Sequence, residues 1–400
     1  MDLLRLLCTA TLRSFATGMG AVLLGIYLAQ RGVSLAQIGI VLSAGLAGGF
    51  AAMLLVSLRA DRWGRRRILV ALSLLGATGG VLLALADTLP LALAAAVLGM
   101  VNGTGRDRGA ASVLEQAILP QFTGDRQRTM GFARYNLLQS LGQAFGALAA
   151  GLPILLQNSL GLDVVASMQA AFLFYSVLLG ATCLLYLGLS PAVETPPRAV
   201  APTVSPETRR TLRRISGLFA IDSIAGGFLG SALIAYFFFE RFGVGAGTIG
   251  ALFFLAGLLN AVSHLVAAWL AARIGLVNTM VFTHIPSSLI LVAVGFAPSF
   301  AIAAALYLLR EALVEMDVPT RQSYVMAVVR PEERTFASGV TNLVRLGGWA
   351  VSPSIAGLLM QGLSLATPLF VGASLKIGYD LLLYAAFRKL KPPEERQETS

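Results

Sequence analysis

The chain has few charged residues, few histidines and few cysteines for its length. Of its 400 residues only 12% are Asp, Glu, Lys or Arg, whereas about a quarter of a soluble domain is charged. Its cysteines, Cys8 and Cys183, lie far apart in apolar stretches, and His264 and His284 have no carboxylate or thiol neighbours at metal-ligand spacing. We therefore expect no soluble fold, no disulfide scaffold and no metal centre.

Sequence motifs of catalysis are also absent. The chain has no glycine-rich phosphate loop after a strand and no Gly-x-Ser-x-Gly segment. We expect neither enzymatic activity nor a bound cofactor.

Long apolar runs dominate what is present. The composition is 56% hydrophobic, the mean hydropathy is +0.77, and a membrane-spanning helix needs about 20 apolar residues. The sequence predicts an all-α membrane protein with twelve transmembrane helices, at about 8–30, 36–57, 68–86, 89–115, 129–156, 165–189, 215–239, 248–272, 278–297, 299–318, 335–360 and 365–388. The even number places both termini on one side of the membrane.

The basic residues are distributed unevenly between the predicted loops. The net charge is +10, and 21 of the 30 Lys and Arg residues fall in the N-terminal lead, the even-numbered loops, the central linker and the tail, whereas only Arg31 and Arg241 fall in odd-numbered loops. This asymmetry predicts a multi-pass protein of a bacterial inner membrane with both termini in the cytoplasm. Because topology explains the basicity, we expect the lipid bilayer, and no nucleic acid, as the partner of these charges.

The densest charge lies between the second and third spans. Residues 57–67 contain five arginines and one aspartate, in the order Asp61-Arg62-Trp63-Gly64-Arg65-Arg66-Arg67. This segment resembles the signature loop of the major facilitator superfamily of secondary transporters, with Ser57 where the family has glycine.

The chain also repeats itself. A polar, proline-rich segment at 190–213 separates two sets of six spans, and Gly142 and Ala150-Gly151-Leu152 recur 206 residues later as Gly348 and Ala356-Gly357-Leu358. Parallel repeats of six spans resemble the two pseudo-symmetric six-helix bundles of the facilitator fold. The predicted divisions are an N-terminal bundle at 1–190, a linker at 191–213, a C-terminal bundle at 214–390 and a cytoplasmic tail at 391–400.

The resemblance implies a gating role for the arginine-rich loop. Asp61 would meet the N-terminal end of span 11 near Thr335, where the helix dipole is positive, and Arg62, Gly64 and Arg65 would support that contact. The alternative is that the arginines only set topology.

Charged residues inside the predicted spans are costly and so indicate function. We expect the substrate cavity and the proton-coupling site to include Arg106, Asp107, Asp222, Arg310 and Glu311. We expect structural charge pairs among Glu115, Arg134, Glu315, Arg345, Lys376 and Asp380, with Glu115 paired to Arg134, Lys376 paired to Asp380, and Arg345 close to Glu311. Arg13 is near enough to the cytoplasmic face to extend its side chain there.

The expected function is secondary active transport of a small organic solute by alternating access, coupled to protons, in a monomer. Span 5 has Gly142, Gly146 and Gly151, followed by Pro153. The spacing of these glycines resembles that of family exporters, although the central proline of those exporters is missing, and we expect export. The alternative is import of a small organic anion attracted by Arg106, Arg310 and Arg345.

Overall fold

The computed structural model describes residues 1–107, 109–194, 205–316 and 334–387. These residues form α-helices joined by short turns, which confirms the predicted all-α class. The helices are α1 Asp2–Gln30, α2 Leu35–Trp63, α3 Arg65–Leu85, α4 Leu89–Gly99, α5 Ala110–Ile118, α6 Pro120–Leu148, α7 Leu152–Leu160, α8 Val164–Leu187, α9 Pro206–Gly227, α10 Ser231–Phe242, α11 Ala246–Ile274, α12 Leu276–Phe296, α13 Phe300–Val314, α14 Arg334–Gly362 and α15 Thr367–Phe387.

Ten segments of the described chain are long and apolar enough to cross a membrane, and each overlaps a predicted span. The predicted number of twelve is not confirmed. Span 4 is divided between α4 and α5, and predicted span 10 corresponds to α13, which ends at Val314, just before the undescribed residues 317–333.

The interruption of span 4 follows from its sequence. Met100 and Gly105 have positive φ angles of 51° and 79°, and the Asn102 side chain accepts hydrogen bonds from the backbone N–H and the hydroxyl of Thr104, at 2.8 and 2.6 Å. Such local side-chain bonds compete with the helix. The freed Gly103 carbonyl accepts from the Ala232 N–H at 2.9 Å, so the break is satisfied and not a defect.

The described residues fall into two compact units. The first draws on residues 1–199, 230–257 and 353–365, and the second on the remaining residues, in each case as far as they are described. In the first unit α1 is the buried helix and packs against α6, α8 and α10. In the second unit α12 packs against α13 and α15, and α9 packs against α15. These units describe packing, and the predicted division into halves at 190 and 214 stays a prediction.

The 206-residue repeat recurs in helix packing. A Cβ atom at Gly142 of α6 would lie 2.6 Å from the Thr11 carbonyl oxygen, and one at Gly348 of α14 would lie 2.7 Å from the Ser223 Cβ. Each glycine therefore permits close approach to the helix that corresponds to span 1 or span 7 of its own half.

Candidate functional site

The arginine-rich loop is held by an acid that the sequence analysis did not select. Gly64, with φ 91°, joins α2 to α3, and the Glu194 carboxylate accepts hydrogen bonds from the backbone N–H groups of Arg65 and Arg66, at 2.7 and 3.2 Å. A carboxylate at a helix N-terminus satisfies free N–H groups and complements the helix dipole. Arg62 is exposed, and the predicted contact of Asp61 with the region of Thr335 involves side chains outside the described set.

In the first unit, Glu115 is the centre of a buried hydrogen-bond network. Its carboxylate is fully buried and accepts from the hydroxyls of Thr9, Tyr135 and Tyr186, at 2.5, 2.6 and 2.6 Å, and from Arg13 Nη2 at 2.6 Å. Four donors saturate the acceptor capacity of one ionised carboxylate.

Arg13 bridges two carboxylates in this network. Besides Glu115, its Nε donates to Asp107 Oδ2 at 2.7 Å. Its side chain is only 11% exposed. The expectation that Arg13 extends to the membrane face is therefore wrong. The predicted pairing of Glu115 with Arg134 is replaced by this arrangement, since the Arg134 side chain is exposed.

Asp107 occupies the irregular segment between α4 and α5. Gln139 Nε2 donates to its Oδ2 at 3.2 Å, the same oxygen that Arg13 contacts. These hydrogen-bonded groups include one arginine, Arg13, and two carboxylates, Asp107 and Glu115. Among the described residues, Asp107 has fewer hydrogen-bond donors than Glu115. Arg106, also selected from the sequence, is half-buried beside it.

In the second unit, four buried groups form a chain across α9, α15 and α12. Lys376 Nζ donates to Asp222 Oδ1 at 3.1 Å and lies 3.2 Å from His284 Nε2. His284 Nδ1 lies 3.0 Å from both oxygens of Asp380. The predicted pairing of Lys376 with Asp380 is corrected here, because Lys376 bonds Asp222 and His284 lies between Lys376 and Asp380. The sequence analysis set His284 aside.

Arg310 and Glu311 form a second buried group of this unit. Arg310 Nη1 donates to Glu311 Oε1, and Asn260 Nδ2 donates to Glu311 Oε2 at 2.9 Å. The Arg345 guanidinium lies 5.1 Å from the centre of the Trp349 ring, and its predicted closeness to Glu311 stays a prediction. Glu315 is buried just after α13.

Comparison with protein families decides what kind of protein carries these networks. The model of the Major Facilitator Superfamily matches residues 6–353 and 215–400. The chain belongs to the major facilitator superfamily. The resemblance drawn from the arginine-rich loop is confirmed, and the chain is a multi-pass membrane protein of a family of secondary transporters.

Among relatives, the chain is 25% identical over 420 residues to an uncharacterized membrane protein, YJR124C, of Saccharomyces cerevisiae, covering 96% of this chain and 94% of the yeast protein. Its fold is similar to that of the nucleoside transporter NupG, with a TM-score of 0.73 and 15% identity over 97% of this chain and 99% of the other. It is also similar to a D-xylose-proton symporter, with a TM-score of 0.72 and 13% identity over 96% of this chain and 98% of the other. At these identities the two structures show the facilitator fold alone.

Proposed function

We propose that this facilitator is a proton-coupled secondary transporter that exports a small organic solute by alternating access. The observation that carries the coupling is the sharing of Arg13 between Asp107 and Glu115. One buried cation opposite two buried carboxylates leaves a negative charge, and a proton is the simplest group that neutralises it.

Asp107 is the acid that exchanges this proton. Glu115 is held by four donors, whereas Asp107 accepts from Arg13 and Gln139 through one oxygen. The D-xylose-proton symporter named above indicates that the fold accommodates proton coupling.

Glu311, a leading candidate from the sequence, ranks below Asp107 in this proposal. Its carboxylate has an arginine of its own in Arg310 and a further donor in Asn260, so the pair is neutral without a proton. Arg106, Asp222, Arg310 and Glu311 remain proposed members of the cavity.

Export is favoured over import of an organic anion by the neutralisation of buried cations. Arg13 and Arg310 both contact carboxylates, which reduces their attraction for an anion. The glycines of span 5 give weaker support, because packing explains them: a Cβ atom at Gly146 would lie 2.0 Å from the Phe15 carbonyl oxygen of α1.

The test is transport by protein reconstituted in liposomes, with solutes first selected by the sensitivity of a deletion strain to a compound panel. We expect Asp107→Asn to abolish accumulation driven by a pH gradient while exchange of solute at equilibrium continues. The matched control is Asp87→Asn, an exposed acid of the loop between α3 and α4, which we expect to transport normally. Gradient-driven accumulation by Asp107→Asn at the unmodified rate contradicts the assignment, and accumulation independent of any pH gradient contradicts proton coupling.

A further inference from the structure

The span 4 loop, residues 100–107, is held together by the side chain of Asn102. Its Oδ1 accepts from the N–H and the hydroxyl of Thr104, and its Nδ2 donates to the carbonyl oxygen of Arg106. One side chain therefore ties residues 102 to 106 into a single unit. Asp107, whose carboxylate lies 2.7 Å from Arg13 Nε, follows directly. A shift of the span 4 loop should therefore carry Asp107 with it.

The span 4 loop is bonded to the start of α10, and both belong to the first unit. The Gly103 carbonyl oxygen accepts from the Ala232 N–H at 2.9 Å, and the Thr104 carbonyl oxygen accepts from the Ser231 hydroxyl at 2.9 Å. Ser231 and Ala232 are the first two residues of α10. Because N–H groups in the first turn of a helix have no acceptor within that helix, the loop supplies the one that Ala232 lacks.

Two glycines let the loop come this close to α10. Gly105 has a φ angle of 79°, which other residues rarely adopt, and a Cβ atom there would lie 2.4 Å from Ser231 Oγ. A Cβ atom at Gly103 would lie 3.2 Å from the Ala232 Cβ. The contact is therefore closely packed as well as hydrogen-bonded.

Span 7 is interrupted at the same place. Helix α9 ends at Gly227 and α10 begins at Ser231, near the middle of the predicted span 215–239. In the predicted topology α10 is the external half of span 7, which belongs to the C-terminal bundle, whereas the span 4 loop belongs to the N-terminal bundle. Alternating access requires the two bundles to separate on the external side when the cavity opens there. Their separation would break this contact.

We propose that Ser231 is a positioning residue for Asp107, and that the contact of α10 with the span 4 loop links external opening to the proton-coupling acid. While α10 is in place, Ser231 and Ala232 fix the loop and Asp107 stays beside Arg13. When α10 moves away, both hydrogen bonds are lost, the loop changes conformation and Asp107 leaves Arg13. This inference rests on the proposed function, because it takes Asp107 as the acid that exchanges the proton.

The break of span 4 is what makes such a link possible. In a continuous helix each carbonyl oxygen accepts from the N–H four residues on, so it has no need of a donor from another helix. The carbonyl groups of Gly103 and Thr104 instead accept from α10. Polar backbone groups deep in a membrane need partners, so departure of α10 obliges both carbonyl groups to find water or new donors. Either change rearranges the loop that carries Asp107.

The hold of Ser231 on the loop can be measured without transport. Gly109 has nothing within 4 Å of an added Cβ, so Gly109→Cys can carry a nitroxide label two residues after Asp107. The cysteines of the chain, Cys8 and Cys183, are replaced by alanine in this background. Ser231→Ala removes the hydroxyl and leaves the backbone N–H groups of α10 in place. We expect EPR spectra in lipid bilayers to show a more mobile label in Ser231→Ala.

The matched control is Ser159→Ala in α7. It also removes a hydroxyl that donates to a backbone carbonyl oxygen, that of Leu155, and we expect it to leave the label unchanged.

The link to coupling is measured in liposomes that contain a pH-sensitive dye, with a solute selected by the deletion-strain screen. Ser231→Ala should move fewer protons per solute molecule than the unmodified chain, because Asp107 no longer follows α10. A loss of folded protein would lower proton and solute movement together and leave their ratio unchanged. We expect Ser159→Ala to keep the ratio of the unmodified chain.

An unchanged EPR spectrum in Ser231→Ala, or a change of equal size in Ser159→Ala, would overturn the assignment of Ser231. An unchanged number of protons per solute in Ser231→Ala would overturn the link to coupling. The proposed function fails on a different result, gradient-driven accumulation by Asp107→Asn at the unmodified rate, which would leave the EPR result standing. The two proposals can therefore fail separately.

Discussion

Replacing Arg13 by methionine should destabilise the protein more than any ordinary loss of a hydrogen bond. The substitution keeps an apolar side chain in α1 but leaves Asp107 and Glu115 buried together without their shared cation. Removing one partner of a buried ion pair costs about 3–5 kcal/mol. At about 1.4 kcal/mol per tenfold change, that raises the unfolded fraction by about two to four powers of ten.

Two variants provide the scale for this value. Arg5→Met lies on the same helix and also removes an arginine–carboxylate pair, but the Arg5 side chain is 31% exposed, and pairs of that kind contribute about 0–1 kcal/mol. In the double variant Arg13→Met with Asp107→Asn, one acid of the pair loses its charge, so we expect part of the loss to be recovered. Recovery by a second substitution reports direct coupling between the two residues.

The assay is unfolding of the purified protein by SDS in mixed micelles, followed by the fluorescence of its three tryptophans. The expected order of the free energy of unfolding is unmodified chain close to Arg5→Met, then the double variant, then Arg13→Met. Equal stability of Arg13→Met and Arg5→Met would refute the reasoning, because the bridge would then carry no charge pairing.

The remaining predictions concern close helix packing at two glycines and the membrane topology. A Cβ atom at Gly39 would lie 2.3 Å from the Pro353 carbonyl oxygen, and one at Gly250 would lie 2.3 Å from the Ala147 carbonyl oxygen. Gly39→Ala and Gly250→Ala should therefore each prevent this helix packing and reduce transport at normal surface expression, whereas the control Gly49→Ala, with nothing within 4 Å of the added Cβ, should transport normally. Normal transport by Gly39→Ala and Gly250→Ala would show that the packing is not needed in the transport cycle. Reporters fused after residue 67, within 195–210 or at the C-terminus should read cytoplasmic and those near residues 32 and 161 external, and an external reading at 195–210 would contradict the two-bundle topology.

The sequence was sufficient for the class of fold and for the regions where charge is buried. Apolar runs and loop charges depend on composition and spacing along the chain, and both are readable without a structure. The interruption of span 4 was not predicted, although Asn102 and the glycines beside it carry the signal, since such residues favour local turns over helix.

Partners of the buried charges could not be predicted in the same way. His284 was set aside because it has no ligand or acid at helical spacing, yet its partner Asp380 is 96 residues away along the chain. Arg13 was assigned to the membrane face because its distance from the helix end allows that, but its two acids lie 94 and 102 residues further on. Helix neighbours in the folded bundle determine these pairs, and spacing within one helix contains no information about them.

The central claim is tested most directly by measuring whether protons cross the membrane together with the solute. Protein is reconstituted in liposomes that contain a pH-sensitive dye, with no initial pH gradient, and a solute identified in the compound screen is added outside. We predict that the internal pH changes as the solute crosses, that Asp107→Asn abolishes the change, and that Asp87→Asn preserves it. Solute movement without any change in internal pH in the unmodified protein would contradict proton-coupled transport.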